Sequence, residues 1–146
     1  MRYGSIYLVV KDFDKSVSFY EKVLDMKVSA TNGKRFAMFN NTGLNLCIMN
    51  GYYDDKNASQ VITKGDYWEE YDNQSKIADS VNTHKVFINL GVEDLQSEYE
   101  RIKGLEIAEQ LTPIRYINVF SPYWYFTFMD PDGNPIEITG GYTEKS

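Results

Sequence analysis

Met129-Asp130-Pro131-Asp132-Gly133-Asn134-Pro135-Ile136-Glu137-Ile138 is the stretch from which the architecture of this chain can be read. It follows an aromatic run, Tyr123 to Met129, whose composition favours a strand. Pro131 fixes φ near the value wanted at the first turn position, and Gly133 can take the positive φ that closes a reversal. The segment is therefore expected to be a β-hairpin. Alternation in its exit strand sets Glu137 on the face opposite Ile136 and Ile138. A carboxylate between two apolar residues points either to solvent or into a site.

Working outward, the chain contains this pattern twice. Tyr3 to Val10 reads as a strand, Asp12 as a helix N-cap, and Phe13, Val17, Tyr20, Val23 and Leu24 recur at helical spacing. Strands are expected over Lys27 to Thr31, Arg35 to Phe39 and Asn45 to Met49, separated by Asn-Gly and Asn-Thr-Gly turn signals. From residue 84 the pattern returns: a strand over Val86 to Val92, a cap at Asp94, and a helical face of Leu95, Tyr99, Ile102 and Leu105. Asp94 follows Asp12 by 82 residues, whereas Gly133 follows Gly43 by 90, so eight residues are inserted in the second copy. The aromatic segment Ile114 to Trp124 is the expected place for them. Agreement of cap, helix face and strand parity predicts two β-α-β-β-β modules in an α+β fold. They are expected at 3–50 and 84–142 within one domain spanning 1–146. Residues 51–83, rich in acids and rings, are expected to form a partly ordered loop over a cavity.

Composition narrows the function. The 146 residues suffice for one sizeable core, and 42% hydrophobic with 25% charged residues is an ordinary globular balance. A net charge of −6 excludes the basic stripe that nucleic-acid binding needs. The apolar start of the chain is too short to span a membrane. The single cysteine, Cys47, forbids an internal disulfide, so a cytoplasmic setting is expected. Aromatic content of 15% is high, and rings outside regular elements tend to line binding sites.

Asp12-Phe13-Asp14-Lys15-Ser16-Val17-Ser18-Phe19-Tyr20 with Val23-Leu24, together with Asp130 to Ile138, resembles the glyoxalase, bleomycin-resistance and extradiol-dioxygenase group, the vicinal oxygen chelate superfamily. The resemblance covers roughly 3–50 and 85–140. It implies paired modules whose curled sheets form a cup, commonly completed in a homodimer. In metal-using members, four ligands come from the first and last strands of each module, and the matching positions here are Ser5, Cys47, Phe87 and Glu137. Phe87 has no donor atom, and only Glu137 suits a hard divalent ion. The sole histidine, His84, is expected at the start of its strand, with parity opposite to Phe87.

The expectation is therefore a metal-free protein without a cofactor, binding a planar or hydrophobic small molecule in an aromatic-lined cup. Its ligand-facing residues are expected to be Ser5, Tyr7, Asn45, Cys47, Phe87, Asn89, Arg115, Tyr123, Trp124 and Glu137. No catalytic residue is assigned, Glu137 being the best candidate. The alternative is a glyoxalase-like lyase, isomerase or dioxygenase with an atypical Zn or Ni site that uses Glu137 with Cys47 or His84. Cys47 is expected to be a packing residue and Ser5 a polar wall residue.

Overall fold

A computed structural model describes residues 5–64, 66–67, 69–81, 86–118 and 122–145. The chain divides into two compact units, Met1–Val81 and Asn82–Ser146. In the first, β1 (Ser5–Val10) leads to α1 (Phe13–Leu24), then β2 (Ala30–Asn32), β3 (Phe36–Asn41) and β4 (Leu44–Asn50). The strands form one mixed sheet in the order β1-β4-β3-β2, with β1 parallel to β4 and the other pairs antiparallel. The Asp12 carboxylate accepts the Lys15 backbone N–H at 3.0 Å, satisfying a donor that the first helical turn leaves free. Asp25, left-handed at φ 50, ends the helix. One stripe of α1 buries Phe13, Phe19, Tyr20 and Val23. Val10, Ala37, Phe39, Leu46 and Ile48 are buried in the sheet, and all five share one face by strand parity. Ser5, Tyr7, Asn45 and Cys47 belong to the other face.

Residues 51–81 are more regular than expected. They form α2 (Tyr53–Lys56), a 3-10 turn (Ala58–Gln60), α3 (Glu69–Asp72) and α4 (Gln74–Asp79). Elements this short carry too few turns for apolar periodicity to register in sequence. They are anchored to the first unit. Arg35 Nε lies 2.7 Å from Asp54 Oδ1, and Gly51 is so close to α4 that a Cβ there would stand 2.5 Å from the Ala78 Cβ. A cavity of about 610 Å³ lies against the segment, lined in part by Arg35, Asp54, Tyr67, Asp72 and Gln74.

The second unit repeats the order with β5 (Ile88–Asp94), α5 (Leu95–Leu105), β6 (Arg115–Ile117), β7 (Tyr123–Met129) and β8 (Pro135–Gly141). Its sheet runs β5-β8-β7-β6, again with one parallel pair, β5 with β8. Asp94 caps α5 as Asp12 caps α1, accepting the Ser97 N–H at 3.1 Å and the Ser97 hydroxyl at 2.9 Å. Those bonds hold its carboxyl below the usual range. Leu95 and Ile102 are fully buried, while Tyr99 meets Phe126 edge to face at 5.3 Å. Ile136, Ile138, Phe126 and Phe128 complete this core, each such side chain contributing about 1.5–3 kcal/mol on burial. The two β-α-β-β-β modules expected from the repeat are thus present, each with its own mixed four-stranded sheet.

Several boundaries differ from expectation: β3 and β4 run a residue or two beyond the expected spans, at Phe36–Asn41 and Leu44–Asn50. β2 is Ala30–Asn32 rather than Lys27 to Thr31, because Val28 instead gives its N–H to the Glu21 carboxylate. β5 begins at Ile88, not Val86, since ladder pairing starts at Ile88 with Ile136. The insertion expected as a loop over Ile114 to Trp124 contains β6, while the aromatic strand expected over Tyr123 to Met129 is β7 with those bounds. A three-residue edge strand leaves almost no alternation to detect.

Candidate functional site

The hairpin between β7 and β8 closes around Asp130. This carboxylate is almost wholly buried and accepts the backbone N–H groups of Asp132 and Asn134 and the Asn134 side-chain amide, at 2.8–2.9 Å. The Gly133 N–H reaches the Asp130 carbonyl at 3.0 Å with Gly133 at φ 81, the positive value foreseen for it. So fastened, the turn fixes the register of β8. Ile136 and Ile138 point into the core while Glu137, half-buried, faces the other way.

Register then assigns the neighbours of Glu137. It lies between Asn89 on β5 and Thr127 on β7, and the Asn89 amide donates to Glu137 Oε1 at 2.9 Å. The next row on the same face holds Arg115, Tyr125 and Thr139 on adjacent strands. The Arg115 guanidinium sits over the Tyr125 ring at 5.1 Å, and Tyr123 packs against Tyr125 at 5.6 Å. The Tyr123 hydroxyl is pushed up, first by desolvation, then by the Glu137 carboxylate and Tyr125. Glu137, Asn89, Arg115 and Tyr123 therefore share one face, and Tyr125 and Thr127, which were not foreseen, belong with them. Their signal was available: every second residue of β7 after Tyr123 must share its face.

Trp124 does not belong to this group. Paired with Gly140, it shares the parity of buried Phe126 and Phe128 and packs with Tyr116 and Tyr142 at 5.2 and 4.8 Å on the opposite face. Consecutive strand residues cannot both face a ligand on one side of a sheet. Phe87, half exposed, directly precedes β5.

In the first unit, Ser5 pairs with Asn45 and Tyr7 with Cys47 on the face free of α1. Tyr7 is 55% exposed, whereas Cys47 is only 2% exposed. Burial pushes the Cys47 thiol up, and a hydrogen bond with Ser5 only partly offsets this. The cysteine accordingly has the character of a packing residue.

The sequence resemblance implies a divalent ion held at Ser5, Cys47, Phe87 and Glu137. Phe87 offers no donor, burial disfavours the Cys47 thiolate, Ser5 brings only a hydroxyl, and Glu137 is the one carboxylate of the four. Among the described residues there is no group of three or more His, Cys, Asp or Glu side chains that could hold a metal. His84 lies outside the described residues. Among the described residues, the donor set at these four positions does not fit a divalent metal site. Among the described residues, no helix is long and apolar enough to cross a membrane.

A family model, the Glyoxalase/Bleomycin resistance protein/Dioxygenase superfamily, matches residues 2–138. No curated protein matches the chain in sequence. Similar solved structures include the fosfomycin resistance protein FosX from Listeria monocytogenes, complexed with Mn(II) and sulfate, at 21% identity and TM-score 0.62, covering 98% of this chain and 92% of that one. The bleomycin resistance determinant encoded on the transposon Tn5 aligns at 13% identity and TM-score 0.59, over 98% and 100% of the two chains. A lactoylglutathione lyase from Agrobacterium tumefaciens aligns at 16% identity and TM-score 0.61, over 96% and 93%. At such identities the likeness is one of fold.

Proposed function

Because the chain belongs to the glyoxalase/bleomycin resistance protein/dioxygenase superfamily, we propose that it is a metal-free small-molecule-binding protein of that superfamily, holding a planar or hydrophobic ligand against tyrosine-bearing sheet. The observation that carries the reading is the face around Glu137, where a carboxylate fixed by Asn89 adjoins two tyrosine rings and a guanidinium. Rings supply area for a flat body, and the few polar groups orient it. Ser5, Tyr7 and Asn45 on the free face of the first sheet, and Phe87 before β5, are proposed as further ligand-facing residues, with Cys47 as packing beneath them. Homodimerisation and a cytoplasmic setting belong to the same proposal. They rest on the sequence resemblance and on the lone cysteine.

The relatives differ in what their names imply. FosX was solved with Mn(II), whereas the Tn5 determinant is named for resistance to bleomycin. The donor set of the described residues favours binding without a metal. Elemental analysis of protein purified without a nickel column is expected to find less than stoichiometric Zn, Mn, Ni or Fe. Planar aromatic compounds are expected to perturb intrinsic tyrosine and tryptophan fluorescence in the same preparation, with or without a chelator. Tightly bound stoichiometric metal, or ligand binding abolished by chelation, would instead establish an atypical metalloenzyme and overturn the proposal.

A further inference from the structure

The free face of the second sheet is electrically polarised along one direction, which bears on what it would bind. Arg115 on edge strand β6 has no carboxylate in ion-pair contact among the described residues, where the salt bridges join other groups. Its guanidinium carbon lies over the Tyr125 ring, 5.1 Å from the centroid. A stacked guanidinium keeps its N–H edge available for a carboxylate or phosphonate. Across the sheet, the Asn89 amide holds Glu137 Oε1, and Glu137 Oε2 is the second acceptor that this carboxylate brings to the same face. Tyr125 belongs to the strand between, paired with Arg115 on one side and Thr139 on the other.

Spacing follows from the register. Strands lie about 4.8 Å apart and residues two along a strand about 6.8 Å apart, so the Arg115 and Glu137 Cα atoms are separated by roughly 12 Å. The guanidinium reaches inward over β7, so the cationic head stands nearer β8 than its own Cα does, and one ring with a group at each end falls within the roughly 12 Å between the two Cα atoms. Gly91 adds room, since a Cβ there would meet nothing within 4 Å. It stands beside Thr139 in the Arg115 row.

We infer that this face selects flat ligands bearing an anionic group at one end, taken by Arg115, and an ammonium or amide donor at the other, taken by Glu137, with the flat body lying across β7 between them. The inference rests on the small-molecule-binding reading and specifies its ligand class. A neutral hydrophobic plane would leave both charged groups unused. A ligand matched at both ends would engage each through a charge-assisted bond.

The test uses the full chain and three probes: 4-(aminomethyl)benzoate, benzoate and benzylamine, titrated by NMR with assigned tyrosine ring signals. The doubly charged probe is expected to bind tightest. Arg115→Gln should weaken it and benzoate by about fivefold to tenfold while sparing benzylamine, as loss of one charge-assisted bond requires. Glu137→Gln should weaken it and benzylamine by a similar factor while sparing benzoate. Arg115 is exposed, so its replacement leaves the core untouched. Arg115→Lys, keeping charge but losing the planar stack, should recover part of the benzoate affinity. Equal weakening of all three probes by Arg115→Gln, or no weakening of any, overturns the dipolar assignment. If benzylamine and neutral naphthalene bind under those circumstances, the binding reading survives. If no probe binds and naphthalene also fails, both readings fall.

Discussion

Glu137 and Tyr123 show how two residues fourteen positions apart become one electrostatic unit. Tyr123 titrates above the usual phenol range because water is partly excluded and because the Glu137 carboxylate and Tyr125 disfavour a phenolate. A phenol raised in the folded state ionises first in the unfolded chain. Its contribution to stability is therefore present below the ordinary tyrosine pKa and lost as pH rises through and beyond it. Glu137→Gln removes the second of the three causes and keeps the shape. Tyr123, followed by its ring carbon signals with Tyr123→Phe as the assignment control, is expected to titrate at lower pH in this variant, though still above a free phenol. An unchanged midpoint would mean that the two side chains are not neighbours. The orientation of Glu137 was legible from two-residue alternation, whereas its pairing with Asn89 was not, because register depends on a strand 48 residues away. Trp124 was misassigned because it was grouped by ring content with the insertion rather than by parity with β7.

At the scale of elements, the two Asp caps and the helix faces behind them could be read from sequence because caps and periodicity are local. Strand ends and β6 could not, because they are settled by partners far along the chain. The meeting of β5 with β8 makes the point. The ladder shifts register between Val92 and Asp94, and there β8 passes so near that a Cβ on Gly140 would lie 2.5 Å from the Val92 carbonyl oxygen. Nothing near Gly140 in sequence announces that approach. Backbone cannot yield as a flexible side chain does, so Gly140→Ala must push the strands apart at the irregularity. The variant is expected to lose about 1–3 kcal/mol in urea unfolding, in the range of other overpacked sites. Gly91→Ala, whose Cβ would stand in open space, is the matched control and should change stability by less than about 1 kcal/mol. Equal effects from the two would mean that strand propensity, not crowding, limits this edge.

For the whole molecule the open question is what covers the apolar residues left at the surface. β1 and β5 are edge strands of their sheets, and Ile6 and Tyr7 on β1 are 39% and 55% exposed, with Val86 and Phe87 just before β5 at 62% and 50%. Natural sheets rarely leave such edges uncovered, since unpaired backbone beside apolar side chains invites association. A second copy of the chain is the covering surface implied by the sequence resemblance, and the two-fold operator is the commonest way a closed assembly forms. Sedimentation velocity at micromolar concentration is therefore expected to report about twice the 16.9 kDa chain mass. Because hydrophobic contacts would hold the pair, the dimer should persist at about 1 M salt, where exposed ion pairs are screened. Tyr7→Lys places a charge on one such edge without touching the buried core, and is expected to move the protein toward monomer while its circular dichroism stays unchanged. A wild-type protein that sediments as a single chain across this range would remove dimerisation from the proposal, and would leave the ligand as the remaining candidate for covering the exposed rings.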